Sequence, residues 1–242
     1  MNLAIDIGNS SAKLALIDGG RVVESFRTEH LSAQYVAELL DRTPVSRAVL
    51  ATVAGVDSEV ERLLAERTDC YLRVDHTTPM PIRNLYATPH TLGIDRLAAA
   101  VGAMEVFPGC NILVADLGTA VTIDVVSATG EFVGGNITLG AAGRFRALND
   151  YTAGLPLVAL DDEVESIGRD TVSAIRSGVV CGMTYELEGY IARAEAEFDD
   201  LRIIFTGGDA NYFAKRLKNA IFATADLVIL GLNKILEYNA KS

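Results

Sequence analysis

NILVADLGTAVTIDVVSATGEFVGG (residues 111–135) is the stretch from which the fold is read. An apolar run delivers Asp116 into a Gly-Thr turn and the chain returns as a second apolar run, so the segment reads as strand, tight turn, strand, with the acid at the bend. An aspartate before glycine at the end of a buried strand leaves a carboxylate facing outward beside uncovered backbone N–H groups, which suits holding a cation and a phosphate together. One such turn is equally an ordinary hairpin. The same arrangement, however, occurs earlier as LAIDIGNSSAKLALIDGGRVV (residues 3–23). An offset of 110 positions (116 minus 6) places Asp6 on Asp116, Gly8 on Gly118, Gly20 on Gly130 and Val23 on Val133. The chain therefore reads as duplicated. Asp6 and Asp116 are expected on opposite sides of one cleft, whose natural occupant is a nucleotide polyphosphate with its metal.

Composition limits the partners. The 242 residues carry a formal net charge of −11, and half of them are hydrophobic, enough for two modest cores. Phosphate contacts along a nucleic acid or an anionic membrane need clustered Lys and Arg, so the acidic balance favours small-molecule partners. The three cysteines, Cys70, Cys110 and Cys181, are far apart and form no CxxC pair, which argues against a disulfide framework or a zinc site. His30, His76 and His90 also lack ligand spacing. The N-terminus enters a strand at once and no apolar run approaches spanning length, so a cytoplasmic, non-membrane protein is expected.

Between the two turns the pattern is α/β. Residues 21–30 read as a third strand, 31–40 as a helix and 47–53 as a short buried strand. Ser58 and Glu61 fit a capping box ahead of a helix reaching about Arg67, and the sheet is expected to be mixed. TTPMPIRNLYATP (residues 77–89) is too rich in proline for regular structure and reads as a stiff extended loop. It leads into TLGIDRLAAAVGAMEVF (residues 91–107), an apolar helix with Asp95 and Arg96 in its first turn. A carboxylate at that position is stabilised as an anion by the helix N-terminus and is able to accept a proton, and Arg96 offers a planar fork to a carboxylate or phosphate. Acids in first turns are also ordinary helix chemistry.

After the second turn, the glycine-rich residues 134–148 either approach a ligand or simply turn the chain. A helix is expected from Thr171 to about Phe198, and its Gly178, Gly182 and Gly189 imply close packing against another helix, a dimer partner included. Residues 201–205 read as a strand ending in TGGDA (residues 206–210), a turn suited to adenosine, to phosphate or only to a bend, with an amphipathic helix from about Asn211. The mostly apolar residues 226–239 close the chain as a helix packed on a sheet.

Taken in order, DIGNSSAK, YATPHTLGIDR, DLGTAVTID, GRDTVSAIRSGVVCG and TGGDA resemble the type III pantothenate kinases, members of the acetate and sugar kinase/heat-shock 70/actin superfamily. The resemblance covers essentially the whole chain, and the Tyr-x-Thr-Pro…Gly-x-Asp-Arg segment separates this family from its superfamily relatives. It implies two duplicated ribonuclease-H-like domains with mixed sheets, residues 1–110 and 111–242, an active-site cleft between them and a last helix available to pack back on the first domain. It implies ATP-dependent phosphorylation of pantothenate, the first step of coenzyme A synthesis, by a homodimer. Residue by residue, it assigns Asp6, Ile7, Gly8, Asn9, Ser10, Ser11, Ala12, Lys13 and Thr119 to ATP. Tyr86, Gly93, Ile94, Asp95, Arg96 and Thr171 fall to pantothenate, with Asp95 as proton acceptor. Asp116 falls to a monovalent cation, K+ or NH4+, and Asp6 to magnesium or another divalent ion through water. Ser10 replaces the usual Thr and Leu139-Gly140 the usual Pro-Gly, which keeps a hydroxyl in one case and alters only loop chemistry in the other. The rivals are another small-molecule kinase of the superfamily and a non-catalytic nucleotide-binding regulator. Intact acids at Asp6, Asp95 and Asp116 and the acidic surface weigh against the regulator.

Overall fold

The structure is a computed structural model that describes residues 1–53, 55–219 and 221–240. The chain opens with β1 (Asn2–Ile7), β2 (Ala12–Asp18) and β3 (Arg21–Thr28), then α1 (Ala33–Arg42), β4 (Arg47–Thr52), α2 (Ser58–Arg67) and β5 (Cys70–Arg73). A two-residue strand β6 (Arg83–Asn84), a 3-10 turn (Pro89–Thr91) and α3 (Ile94–Val106) follow. The remainder is β7 (Ile112–Leu117), β8 (Ala120–Val126), β9 (Glu131–Leu139), α4 (Ala141–Asp150), α5 (Thr171–Glu197), β10 (Arg202–Thr206), α6 (Ala210–Ala214), β11 (Ile221–Ala223) and α7 (Leu227–Asn239). Among the described residues, no helix is long and apolar enough to cross a membrane.

Two compact units result. Met1–Cys110, Val126–Gly134 and Asp226–Ser242 form the first, and Asn111–Val125 with Gly135–Ala225 form the second. The first sheet runs β3-β2-β1-β4-β5 and the second β11-β10-β7-β8-β9-β6. Reading the second as β9-β8-β7-β10-β11 reproduces the order of the first, with β6 added, so the duplication read from the two DxG turns is a duplication of sheet topology. Both sheets are mixed: β1 is antiparallel to β2 and parallel to β4, while β10 is parallel to both β7 and β11.

Strand alternation sets the layers of the first unit. Leu3 and Ile5 of β1, Leu14 and Leu16 of β2 and Leu50 of β4 form one apolar face, packed with Val36 and Leu39 of α1 and Val60 and Leu64 of α2. Each fully buried leucine contributes roughly 1.5–3 kcal/mol of transfer free energy. The other face carries small residues, Ala4, Ala15 and Ala51, and α7 lies against β1, β2 and β4. Helices α3 and α7 pack on each other where Gly102 and Gly231 meet. A Cβ on Gly102 would overlap the carbonyl of Leu227, and one on Gly231 the carbonyl of Ala98. The two glycines let the backbones of α3 and α7 approach closely. Gly178, Gly182 and Gly189 of α5 face open space within 4 Å.

The second core joins Leu113, Ala115 and Leu117 of β7 and Val121 and Ile123 of β8 to Ile175, Val179, Met183, Leu187 and Ile191 of α5. Asp170 caps α5 by accepting from the Ser173 N–H at 2.9 Å, and Ser173 accepts in return from the Asp170 N–H at 3.1 Å.

Several local readings are corrected. The cap of α2 is Asp57, which accepts from the Glu59 N–H at 2.9 Å; Ser58 is already helical, and Glu61 instead pairs with Arg73 at 2.9 Å. The proline-rich stretch contains β6, which pairs with β9 at Arg83↔Glu131 and Asn84↔Phe132. The glycine-rich stretch after the second turn finishes β9 and starts α4, and the helix after TGGDA is a single short turn followed by β11.

Candidate active site

Asp6 stands one residue from the end of β1, opposite Lys13 of β2, which is opposite Arg27 of β3. Directly opposed residues share a sheet face, so carboxylate, ammonium and guanidinium form one row. The turn between β1 and β2 closes with the Gly8 N–H donating to the Ser11 carbonyl at 3.1 Å, leaving Asn9 and Ser10 exposed. Arg27 Nε donates to Ser11 Oγ at 2.9 Å. Lys13 Nζ pairs with Asp226 Oδ1 at 2.7 Å, both side chains half-exposed, so the pair's energetic worth is about 1 kcal/mol or less and its consequence is the aim of the ammonium. Gly8, Asn9, Ser10 and Ser11, with Glu29 and His30, line a pocket of about 390 Å3. Hydroxyls at the turn and a lysine on the neighbouring strand are groups that suit a polyphosphate.

The Gly93–Arg96 segment belongs to the same unit. Gly93 precedes α3, and a Cβ there would strike Asp95 Oδ1, so glycine allows the carboxylate to fold back over the helix start. Asp95 Oδ1 accepts from the Arg96 N–H at 2.9 Å, and the residue is half-buried. Arg96 is a buried cation, 6% exposed. Its guanidinium carbon lies 5.6 Å from the Tyr86 ring centre and 5.7 Å from that of Phe132, and the two rings meet edge-on at 6.2 Å. Backbone bonds hold the loop in place: the Arg83 N–H donates to the Gly130 carbonyl at 2.9 Å and the Leu85 N–H to the Phe132 carbonyl at 3.0 Å, with an Arg83–Glu131 ion pair at 2.9 Å. The structure thus gathers Tyr86 and Arg96 and adds Phe132, which the sequence left unread because its pairing to β6 is long-range.

In the second unit Asp116 stands at the matching place on β7, opposite buried Thr206 of β10. The turn is tighter: the Gly118 N–H donates to the Ala120 carbonyl at 3.1 Å, and Thr119 is exposed. Gly207, at φ +90°, would place a Cβ 2.5 Å from Asp116 Oδ1. A Cβ on Gly140 would overlap the Gly118 carbonyl. Glycines at 140 and 207 let the backbone approach the Asp116 turn closely, and a carboxylate at such a turn is a hard oxygen ligand of the kind a cation takes. Among the described residues no cluster of three or more His, Cys, Asp or Glu side chains has metal-holding geometry. Asp209, in the TGGDA turn, donates its N–H to the Leu117 carbonyl at 3.0 Å, and burial pushes its carboxyl above the usual range. Thr171 is the exposed first residue of α5.

The sequence profile of the type III pantothenate kinases matches residues 2–193. The chain belongs to this family. A type III pantothenate kinase of Phocaeicola vulgatus is 45% identical over 241 residues, covering 100% of both chains, and one of Christiangramia forsetii is 38% identical over 242 residues, covering 99% of both. Among solved structures, a Campylobacter jejuni protein assigned by its name to the Baf family of transcriptional activators matches at a TM-score of 0.66 with 21% identity, over 99% of this chain and 100% of that one. The ADPNP-bound activator of 2-hydroxyisocaproyl-CoA dehydratase from Clostridium difficile matches at 0.52 with 10% identity, over 100% and 97%. These structural likenesses establish that the family member described here shares their fold.

Proposed function

We propose that this chain transfers the γ-phosphoryl group of ATP to the primary hydroxyl of pantothenate, giving 4′-phosphopantothenate and ADP, the entry to coenzyme A synthesis, in the cytoplasm. The observation that carries this reading is family membership along the full chain, joined to a Gly93–Arg96 segment in which a half-buried carboxylate stands next to a buried guanidinium. The turn from Asp6 through Ile7, Gly8, Asn9, Ser10, Ser11 and Ala12 to Lys13 takes the ATP phosphates, and Thr119 contacts the nucleotide. Asp95 orients the pantothenate hydroxyl and accepts its proton while the oxygen bonds to the γ-phosphorus and the bond to the β-phosphate oxygen breaks. Arg96 meets the pantothenate carboxylate with two parallel donors, and Tyr86, Gly93, Ile94 and Thr171 complete that pocket.

Divalent and monovalent cations, when bound, neutralise polyphosphate charge; Asp6 through water and Asp116 directly are the residues that would hold them. The open glycine face of α5, with Tyr185 exposed beside it, fits the surface of a homodimer, which molar mass in solution tests. Asp95→Asn is expected to lower turnover by roughly 10²–10⁴-fold while ATP binding persists. Near-normal turnover in that variant would remove Asp95 from the role of base.

A further inference from the structure

We propose that Phe132 is a positioning residue for the substrate, acting through Arg96. The inference rests on the reading above, in which Arg96 meets the pantothenate carboxylate. A cation that is 6% exposed requires compensation for lost water, and its reach toward a ligand depends on what fixes its plane. Two rings do this. Tyr86 and Phe132 stand at 66° to each other, and both centres lie within the distance at which a ring's negative face attracts a guanidinium.

Tyr86 belongs to the loop before α3, whereas Phe132 is the second residue of β9 and is fully buried. The two are registered by backbone, since the Leu85 N–H donates to the Phe132 carbonyl and Asn84 is paired with Phe132. The Tyr86 N–H also donates to Asn84 Oδ1 at 2.9 Å, which fixes the chain at that ring. The β6–β9 pairing therefore has a consequence for substrate affinity: it delivers the second ring to Arg96. Phe132 contributes through its π face, and an aliphatic side chain of similar volume would fill the space without holding the cation.

The test replaces Phe132 with 4-fluoro-, 3,5-difluoro- and 3,4,5-trifluorophenylalanine, which drain the ring face while barely changing its size. ADP release is measured against pantothenate and against ATP, with a thermal melt for each protein. The expected result is a stepwise rise in KM for pantothenate, about three- to tenfold across the series, with kcat, KM for ATP and melting temperature unchanged. Phe132→Leu should match the trifluoro variant in KM for pantothenate if it folds. A flat KM across the fluorinated series, or a fall in kcat with KM unmoved, would overturn the proposal. Failure of the underlying function would look different, as wild-type protein whose ADP release does not respond to pantothenate.

Discussion

The two aspartate turns begin alike and are finished differently. In the first unit residues 8–11 join β1 to β2, and a lysine, an arginine and a remote aspartate gather around them. In the second, residues 118–119 join β7 to β8, and what gathers around Asp116 is glycine. The difference is restored further on, since residues 19–20 link β2 to β3 but residues 127–130 link β8 to β9. One copy has become a polar loop with Lys13 and Arg27 beside it. The other has become a tight turn that glycine backbone approaches closely. A duplicated strand-turn-strand unit is thus finished with two different sets of neighbours.

Removing the cation from the first turn should have the largest effect. Lys13→Met is expected to lower kcat/KM for ATP by roughly 10²–10³-fold, as for loss of one preorganised charge partner, while Asp226→Asn, which removes only the tether, should cost about tenfold or less. Equal losses in steady-state assays of the two variants would mean that the tether, not the ammonium, is the functional element. A comparison of two glycines sharpens the contrast between the units. Gly55 and Gly207 both sit at φ +90°, but a Cβ on Gly55 meets nothing within 4 Å. Alanine at Gly55 should cost roughly 1–2 kcal/mol of backbone strain in a denaturant melt, and alanine at Gly207 more, because its Cβ would also meet the Leu117 backbone at 2.6 Å. Only Gly207→Ala should also blunt the response of activity to potassium. A potassium response that survives intact in Gly207→Ala would count against Asp116 as the cation's holder.

The smallest effect is confined to the second unit. The Ser173 N–H lowers the carboxyl of Asp170 below its ordinary value. A lowered carboxyl stabilises the fold above its unfolded value near 4 and loses that contribution as pH falls through the folded value. Wild type should therefore melt above Asp170→Ala by roughly one to three degrees at pH 7, and the gap should close in acid. A constant gap with pH would remove the charged cap from the account.

The first hairpin, the mixed sheet and the long helix after Thr171 were legible because alternation and helical period are local signals. The constant offset of 110 was legible too, yet it concealed the paired changes in turn length, because only strand bounds show where residues were gained and lost. Asp226 and Phe132 carried no local sign: each acts on a residue distant in sequence, Lys13 and Arg96 respectively. The glycines of α5 would carry a Cβ into open space in the single chain, and the tight helix contact that the structure adds is that of Gly102 and Gly231, single glycines in apolar helices where sequence gives no hint of a partner. Ser58 was read as a cap because Ser-x-x-Glu matches the pattern, but Asp57, one residue earlier, reaches the helix N–H groups first.

The function proposed for this chain is the potassium-dependent phosphorylation of pantothenate by ATP. It is tested most directly by ADP release from the purified protein with ATP and magnesium, with and without pantothenate, in potassium and then in sodium. Release should require pantothenate and fall when sodium replaces potassium. Release that is indifferent to pantothenate, or no release in either salt, would contradict it.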